Sequence, residues 1–138
     1  MTYTVMSQKN KFKLTVIKKN TYLCRMNVTF SDKKFQKIVN DDRKMDRVFG
    51  KIRAEKLRVR LIQLEDAETL EEVRYLPGNY HELIGDRKGQ WACDLDQPYR
   101  LIFKPHEEPI PENEHGQYIW LEILGVEIIE VVNYHKER

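Results

Sequence analysis

The chain has 138 residues, of which 41% are hydrophobic, 33% charged and 10% aromatic. This length and composition predict one soluble globular domain with its own buried core. No apolar run approaches the roughly 20 residues that a membrane-spanning helix needs, so we expect no contact with a membrane. The first residues lack the apolar core and small-residue site of a secretory signal, so we expect a cytoplasmic protein.

The N-terminal part of the chain predicts short strands followed by a helix. Residues 11–30 have the composition of two or three strands, with a turn at Lys19-Asn20. Ser31-Asp32 then supplies the oxygen-bearing side chains that cap helix N-termini, and we expect a short helix through about Asn40.

A longer helix is predicted from Arg43 to about Leu64, opened by Asp41-Asp42. Its apolar positions are Met45, Val48, Phe49, Ile52, Leu57, Leu61 and Leu64. Gly50 weakens the middle of this helix, and the apolar stripe shifts around the axis after it. The opposite side carries a basic stripe, which is either a solvated face or a nucleic-acid contact. The stripe consists of Lys44, Arg47, Lys51 and Arg58.

The second half of the chain predicts an antiparallel sheet. A short helical piece, Ala67 to Val73, ends at the Pro77-Gly78 turn. The hydrophobic period then changes to two, and the predicted strands are His81 to Ile84, Gln90 to Leu95, Tyr99 to Lys104, and a last strand or hairpin within Tyr118 to Val132. An acidic, proline-rich loop separates the last two, from Pro105 to Gly116. The fold class is therefore α+β, with N-terminal helices packed on one face of an antiparallel sheet.

The net charge of +2 hides an asymmetry between the two halves. Residues 1–60 contain 17 Lys and Arg against 5 Asp and Glu, whereas residues 61–138 contain 7 against 17. A basic half is typical of contact with nucleic acid or with an acidic partner, but the two halves can also neutralise each other within the fold.

Cations and a titratable ring stand at the ends of the predicted strands. Arg87 and Lys88 lie in a turn, Arg100 lies on the next strand, and Tyr134 and His135 follow the last one. If they converge, they form a site suited to RNA cleavage through the ribose 2′-hydroxyl. The cations would stabilise the phosphorane, histidine would move protons, and tyrosine could stack on a base.

Each of these residues can also have a purely structural role. Arg100 can be an ion-pair partner of Asp94 or Asp96, the Arg87-Lys88-Gly89 segment can be a plain turn, and Tyr134-His135 can be a solvated end. The histidines are scattered and the two cysteines fit no metal-ligand spacing. We therefore expect no metal and no cofactor.

Three segments together resemble the HigB-like branch of the RelE/ParE toxin superfamily, the toxins of type II toxin–antitoxin modules. They are PGNYHELIGDRKGQW at Pro77 to Trp91, YRLIF at Tyr99 to Phe103, and VEIIEVVNYH at Val126 to His135. Met26 also looks like the usual start of such a toxin, so residues 26–138 form the toxin-like domain. Residues 1–25 are then an added β-hairpin or the result of a start codon set too early.

The resemblance implies two N-terminal helices on a twisted antiparallel sheet, and a toxin that cleaves mRNA in the ribosomal A site and so inhibits translation. It implies a helix-turn-helix, HigA-like antitoxin as partner, with DNA contacted only through that antitoxin. Lys88 and Arg100 would be the phosphate-stabilising cations, His135 the acid or base, and Tyr134 its neighbour. Arg87 matches the turn motif and would contact RNA. The basic stripe suits ribosomal RNA or an acidic antitoxin segment.

One departure from the family pattern leaves alternatives open. Many HigB-like toxins carry an arginine where this chain has Asp94, whose carboxylate would repel phosphate or hold Arg100 in an ion pair. The alternatives are a ParE-like toxin that inhibits DNA gyrase without cutting RNA, and a degenerate toxin that only binds its antitoxin. Tyr134-His135 favours the nuclease, because an inhibitor needs no proton donor there.

Overall fold

The computed structural model describes residues 25–134, and this part of the chain contains four helices and a five-stranded sheet. The helices are α1 (Lys33–Val39), α2 (Asp42–Phe49), α3 (Lys51–Asp66) and α4 (Leu70–Val73). The strands are β1 (Asn27–Phe30), β2 (His81–Glu82), β3 (Trp91–Asp94), β4 (Tyr99–Pro105) and β5 (Gly125–Asn133). The strands predicted before residue 25, and His135, lie outside the described residues. No described helix is long and apolar enough to cross a membrane.

The sheet has the order β1-β5-β4-β3-β2, and it is mixed. The predicted α+β class is confirmed, but the expectation of a purely antiparallel sheet needs correction. Strands β2 to β5 pair antiparallel, whereas β1 runs parallel to β5, with Asn27 opposite Gly125. Parallel neighbours need a long connection between them. Here all four helices and three strands separate β1 from β5 along the chain.

The start of the first helix follows the predicted capping chemistry. The side chain of Asp32 accepts a hydrogen bond from the Lys34 backbone N–H at 2.9 Å, and α1 ends at Val39. Asp41 caps α2 in the same way, by accepting from the backbone N–H groups of Arg43 and Lys44. Both caps satisfy N–H groups that have no partner within the helix.

The prediction of one long helix is wrong, because the chain forms two helices, α2 and α3, that are separated at Gly50. Gly50 has φ +84°, a conformation that glycine adopts at little cost and that no helix contains. The chain reverses there, and Arg58 on α3 reaches back to α2, where it pairs with Asp42 at 3.1 Å and Asp46 at 3.0 Å. The basic stripe is therefore split between two helices, and Arg58 is already neutralised.

The main core lies between the helices and one face of the sheet. Leu57, Leu61 and Leu64 of α3 are fully buried against side chains that include Trp91 of β3 and Phe103 of β4. They share one face of α3 because residues three and four apart are neighbours on a helix. A smaller cluster on the opposite face consists of Ala92, Ile102 and Val132, with Leu83 and Ile129 beside it. None of these five residues belongs to a helix.

The other sequence predictions hold with shorter elements. The predicted short helix is reduced to α4, and the predicted strands correspond to β2, β3 and β4. The last strand begins only at Gly125, because Trp120–Glu122 forms a short 3-10 turn that buries Trp120. The segment Pro105 to Gly116 is a mostly exposed loop, as predicted. The turn before β3 contains a 3-10 segment, Gly85–Arg87.

Candidate functional site

Arg100 lies on the face of the sheet that is turned away from the helices. In β4 the neighbouring Leu101 belongs to the main core, so Arg100 points to the opposite side. Arg100 pairs with Asp94 of β3 on one side and with Val132 of β5 on the other. Directly opposed residues of antiparallel strands share a face, and all three side chains therefore meet on this side of the sheet.

The guanidinium of Arg100 is held between a carboxylate and an aromatic ring. Its Nε lies 3.5 Å from Asp94 Oδ1, and its central carbon lies 3.8 Å from the centre of the Tyr134 ring. The backbone N–H of Tyr134 donates to the Pro98 carbonyl at 2.9 Å, which fixes the end of β5 beside the start of β4. The Arg100 side chain is 19% exposed, so its position is fixed while solvent can still reach it.

Arg100 differs from the other enclosed arginines in its hydrogen bonds. Six more arginines between residues 25 and 134 are buried or half-buried, and each donates at least one side-chain hydrogen bond; these are Arg25, Arg53, Arg58, Arg60, Arg74 and Arg87. Arg100 donates none to any residue in this part of the chain. Its Nε is enclosed beside Asp94 without a hydrogen-bond acceptor, so the terminal nitrogens are the donors that a phosphate could reach.

Arg87 lies on the same face of the sheet as Arg100. It donates to Gln90 Oε1 and to Glu130 Oε2, both at 3.0 Å. Glu130 pairs with Ile102, two residues along β4 from Arg100. The strand register therefore supports the prediction that Arg87 and Arg100 lie on the same side of the sheet. One of the Arg87 nitrogens is already bound to the Glu130 carboxylate.

Lys88 lies away from Arg100. It precedes the first residue of β3, whereas Arg100 pairs with Asp94, the last residue of that strand. The two ends of β3 are roughly 10 Å apart at about 3.3 Å per residue. Lys88 Nζ instead lies 5.7 Å from the centre of the Tyr118 ring, in a depression of about 480 Å³ whose lining includes Trp120. The structure thus places Lys88 beside Tyr118, at the other end of β3 from Arg100.

The position of Asp94 depends on a buried arginine that the sequence prediction did not identify. Arg60 of α3 donates from Nε to the Asp94 carbonyl at 2.7 Å and from Nη1 to the Pro77 carbonyl at 3.2 Å. The Asp94 N–H donates to the Gly78 carbonyl at 2.8 Å. The sequence does contain a sign of this role. Arg60 lies three residues after Leu57, on the buried side of its helix, where a charged residue is rare.

The opposite side of β3 is closed to solvent, and one prediction follows from Cys93. Burial raises the pKa of the Cys93 thiol to about 12, because the thiolate is disfavoured without water around it. Only the thiolate reacts. At pH 8 we expect iodoacetamide to modify Cys93 about 10³-fold more slowly in the native protein than in urea, as measured by peptide mass spectrometry. Similar rates in both states would contradict a closed core at β3.

The described residues contain no group of three or more His, Cys, Asp or Glu side chains that could hold a metal ion. The side chains that meet on this face of the sheet within residues 25–134, and so form the candidate site, are Arg100, Tyr134, Asp94 and Arg87. His135, the predicted acid or base, follows Tyr134 directly in the sequence but lies outside the described part of the chain.

Comparison with known proteins identifies the family. A family model described as the RelE-like toxin of the type II toxin–antitoxin system HigB matches residues 28–114, more than half of the chain. The match includes Arg87, Lys88 and Arg100 and ends before Tyr134 and His135. No curated protein and no solved structure was found to match. The chain belongs to the HigB-like toxins of type II toxin–antitoxin systems, and an antitoxin is its partner.

Proposed function

We propose that this toxin is a ribosome-dependent, metal-independent endoribonuclease that cleaves mRNA and thereby inhibits translation. The observation that carries the proposal is the state of Arg100: its guanidinium is fixed by Tyr134 and Asp94, yet it donates no hydrogen bond to any described residue. Oriented donors that need no rearrangement are the groups that best stabilise a charged transition state.

The proposed reaction uses the 2′-hydroxyl of the RNA itself. A base removes the 2′-hydroxyl proton, and the 2′-oxygen attacks the adjacent phosphorus. The bond from phosphorus to the 5′-oxygen breaks, and an acid protonates the departing oxygen. The products are a 2′,3′-cyclic phosphate and a 5′-hydroxyl end, so no water and no metal is consumed or required.

The side chains divide this chemistry between them. Arg100 would donate to the non-bridging phosphate oxygens, where negative charge increases in the transition state. Tyr134 keeps the guanidinium in place and could stack on an unpaired base. Arg87 would contact a neighbouring part of the RNA backbone on the same face, and Lys88 a more distant one. The resemblance assigns proton transfer to His135, which suits an imidazole near neutral pH.

We expect the carboxylate of Asp94 to lower the affinity of this site for phosphate. Its carboxylate lies next to the Arg100 guanidinium, and a phosphate bound there would meet a like charge. Asp94→Asn is therefore expected to lower KM for ribosome-bound mRNA by about 5- to 10-fold with little change in kcat. Asp96→Asn is the matched control, because Asp96 pairs with Arg53 and not with Arg100. A fall in cleavage after Asp94→Asn would instead mean that Arg100 needs this carboxylate for its position.

The cyclic-phosphate mechanism can be tested with one modified nucleotide. The mRNA would be loaded on ribosomes with a single 2′-deoxy substitution at the mapped cut position, beside an unmodified message. We expect the cut to disappear at that position only, and the unmodified product to carry a 5′-hydroxyl. Cleavage that persists at the 2′-deoxy position would contradict the mechanism even if the protein proved to be a nuclease.

The two remaining functions are separated by assays in parallel. A gyrase inhibitor would block supercoiling by purified gyrase and leave ribosome-bound mRNA intact. A degenerate toxin would do neither and would still bind its antitoxin. Either result would contradict the proposed nuclease, and the family match by itself supports only the common role as a toxin.

A further inference from the structure

A depression of about 480 Å³ lies at the edge of the sheet that ends in β2. Its lining includes Glu82 of β2, Lys88 of the turn before β3, and Tyr118 and Trp120 from the segment between β4 and β5. Arg100 lies on β4, two strands further into the sheet. We call this depression the edge pocket. Its volume falls in the range of clefts that hold small organic ligands.

One wall of the edge pocket is an aromatic ring that its neighbours hold in place. The ring of half-buried Tyr118 packs against Trp120, with the ring centres 5.1 Å apart. Trp120 packs in turn edge-on against Trp91 of the main core, at 5.3 Å. A ring that is fixed in this way offers a flat surface on which a nucleobase can stack, and little further ordering of the protein is needed.

The edge pocket carries one positive charge that no carboxylate balances. Among the described residues, its lining contains two charged side chains, Lys88 and Glu82. Glu82 is already bound to Arg74 at 2.9 Å. Lys88 forms no ion pair within residues 25–134, and its Nζ lies 5.7 Å from the centre of the Tyr118 ring. An ammonium group beside a stacking surface suits the phosphate of a ligand whose base lies on that surface.

An oriented amide completes the edge pocket. Asn113 Oδ1 accepts from the backbone N–H groups of His115 at 2.8 Å and of Gln117 at 3.0 Å. Asn113 Nδ2 is therefore free to donate to Gln117 Oε1, at 2.9 Å. Because its oxygen is the acceptor, Gln117 turns its amide nitrogen outward, and that nitrogen donates to no described residue. Amide donors of this kind match the nitrogen and carbonyl acceptors on the edges of nucleobases.

The ring, the cation and the amide together select the ligand. A free phosphate ion or a peptide carboxylate would use Lys88 and leave the ring and the amide without a role. An apolar ligand would cover the ammonium group without giving it a partner, which is costly. A nucleotide has a phosphate for Lys88, a flat base for Tyr118 and edge acceptors for Gln117.

We propose that the edge pocket binds one unpaired nucleotide of the RNA, beyond the phosphate that Arg100 contacts. Arg87 adjoins Lys88 in the chain and lies on the same face as Arg100, so an RNA strand that passes Arg100 and Arg87 reaches the edge pocket next. A nucleotide held there would fix the register of the strand and contribute to affinity rather than to the chemical step. The inference rests on the proposed function, because it takes RNA as the ligand.

The test measures binding of a short, unstructured, fluorescent RNA to the full chain by fluorescence anisotropy, without ribosomes. Tyr118→Leu removes the stacking surface, and Tyr118→Phe retains it. We expect Tyr118→Leu to weaken binding by about 10-fold and Tyr118→Phe to bind as the wild type does. Tyr75→Leu is the matched control, because Tyr75 is 79% exposed and is not part of the lining, and it should leave the affinity unchanged.

Two variants of exposed side chains keep the test decisive if thermal unfolding shows that Tyr118→Leu is not folded. Gln117→Leu is expected to weaken binding by about 3- to 5-fold, the effect of one hydrogen bond. Lys88→Met should weaken it as well and lower the salt dependence of binding by about one phosphate contact. Unchanged RNA affinity in the folded variants, or no RNA binding by the wild-type protein, would overturn the proposal.

Two comparisons separate this proposal from its neighbours. If a nucleoside monophosphate binds with the same dependence on Tyr118 while the RNA affinity does not change, the edge pocket belongs to a free nucleotide and the assignment to RNA is wrong. If the wild-type protein cleaves no mRNA but its RNA binding depends on Tyr118, the nuclease fails and the edge pocket stands. Normal cleavage with RNA binding that is independent of Tyr118, Lys88 and Gln117 refutes the edge pocket alone.

Discussion

Replacing Arg100 with alanine is expected to lower the rate of cleavage of ribosome-bound mRNA by about 10²- to 10³-fold, the usual effect of removing one oriented transition-state donor. The variant should lose kcat and keep most of its affinity for ribosomes, because the guanidinium acts mainly on charge that appears in the transition state. Single-turnover cleavage on programmed ribosomes measures the chemical step directly.

Lys104→Ala provides the control for this experiment. Lys104 is a cation on the same strand, and it pairs with Glu127 at 3.6 Å rather than with the groups around Arg100. We expect its removal to change the cleavage rate by less than about threefold. Equal losses in both variants would mean that the sheet face acts only through its total charge, and Arg100 would then have no special role.

Replacing Arg60 with methionine is expected to lower the free energy of unfolding by about 3 kcal/mol. Methionine retains much of the side-chain volume but leaves the carbonyl groups of Asp94 and Pro77 without their buried donor. Each buried acceptor that loses its partner costs about 1–3 kcal/mol. Urea unfolding followed by tryptophan fluorescence measures the change.

Arg58→Met is the matched control for stability, because Arg58 is on the same helix and pairs only with the surface residues Asp42 and Asp46. Its loss should cost less than about 1 kcal/mol. A similar cost for both variants would contradict the view that Arg60 fixes the end of β3. Since the end of β3 pairs with the part of β4 that carries Arg100, Arg60→Met should also reduce cleavage at temperatures where the protein remains folded.

Much of the fold was predictable because local chemistry determines it. Asp32 and Asp41 cap helices in the structure as their residue types predict. The break at Gly50 was underestimated. A glycine inside a helical pattern costs only about 1 kcal/mol on average, so the pattern alone does not reveal that Gly50 adopts a φ of +84° and ends the helix. The parallel pairing of β1 with β5 depends on residues about 100 positions apart, which no local pattern reports.

The candidate site was predictable in part for the same reason. Successive side chains of a strand point to opposite faces of the sheet, and Leu101 is apolar. The sequence therefore predicted that Arg100 lies on the face away from the core. The separation of Lys88 from Arg100 did not follow, because it depends on the conformation of the turn before β3. The sequence also suggested Asp94 and Asp96 equally as partners of Arg100. The structure pairs Asp94 with Arg100 and Asp96 with Arg53, since Asp94 is the residue directly opposite Arg100.

The most direct test of the proposed nuclease is to map the 5′ ends of mRNA on programmed ribosomes incubated with the wild-type toxin and with Arg100→Ala. We expect cuts within the codon in the ribosomal A site, 5′-hydroxyl ends at those cuts, and their absence with the variant. Intact mRNA with the wild-type protein, on ribosomes that still translate when the toxin is omitted, would contradict it.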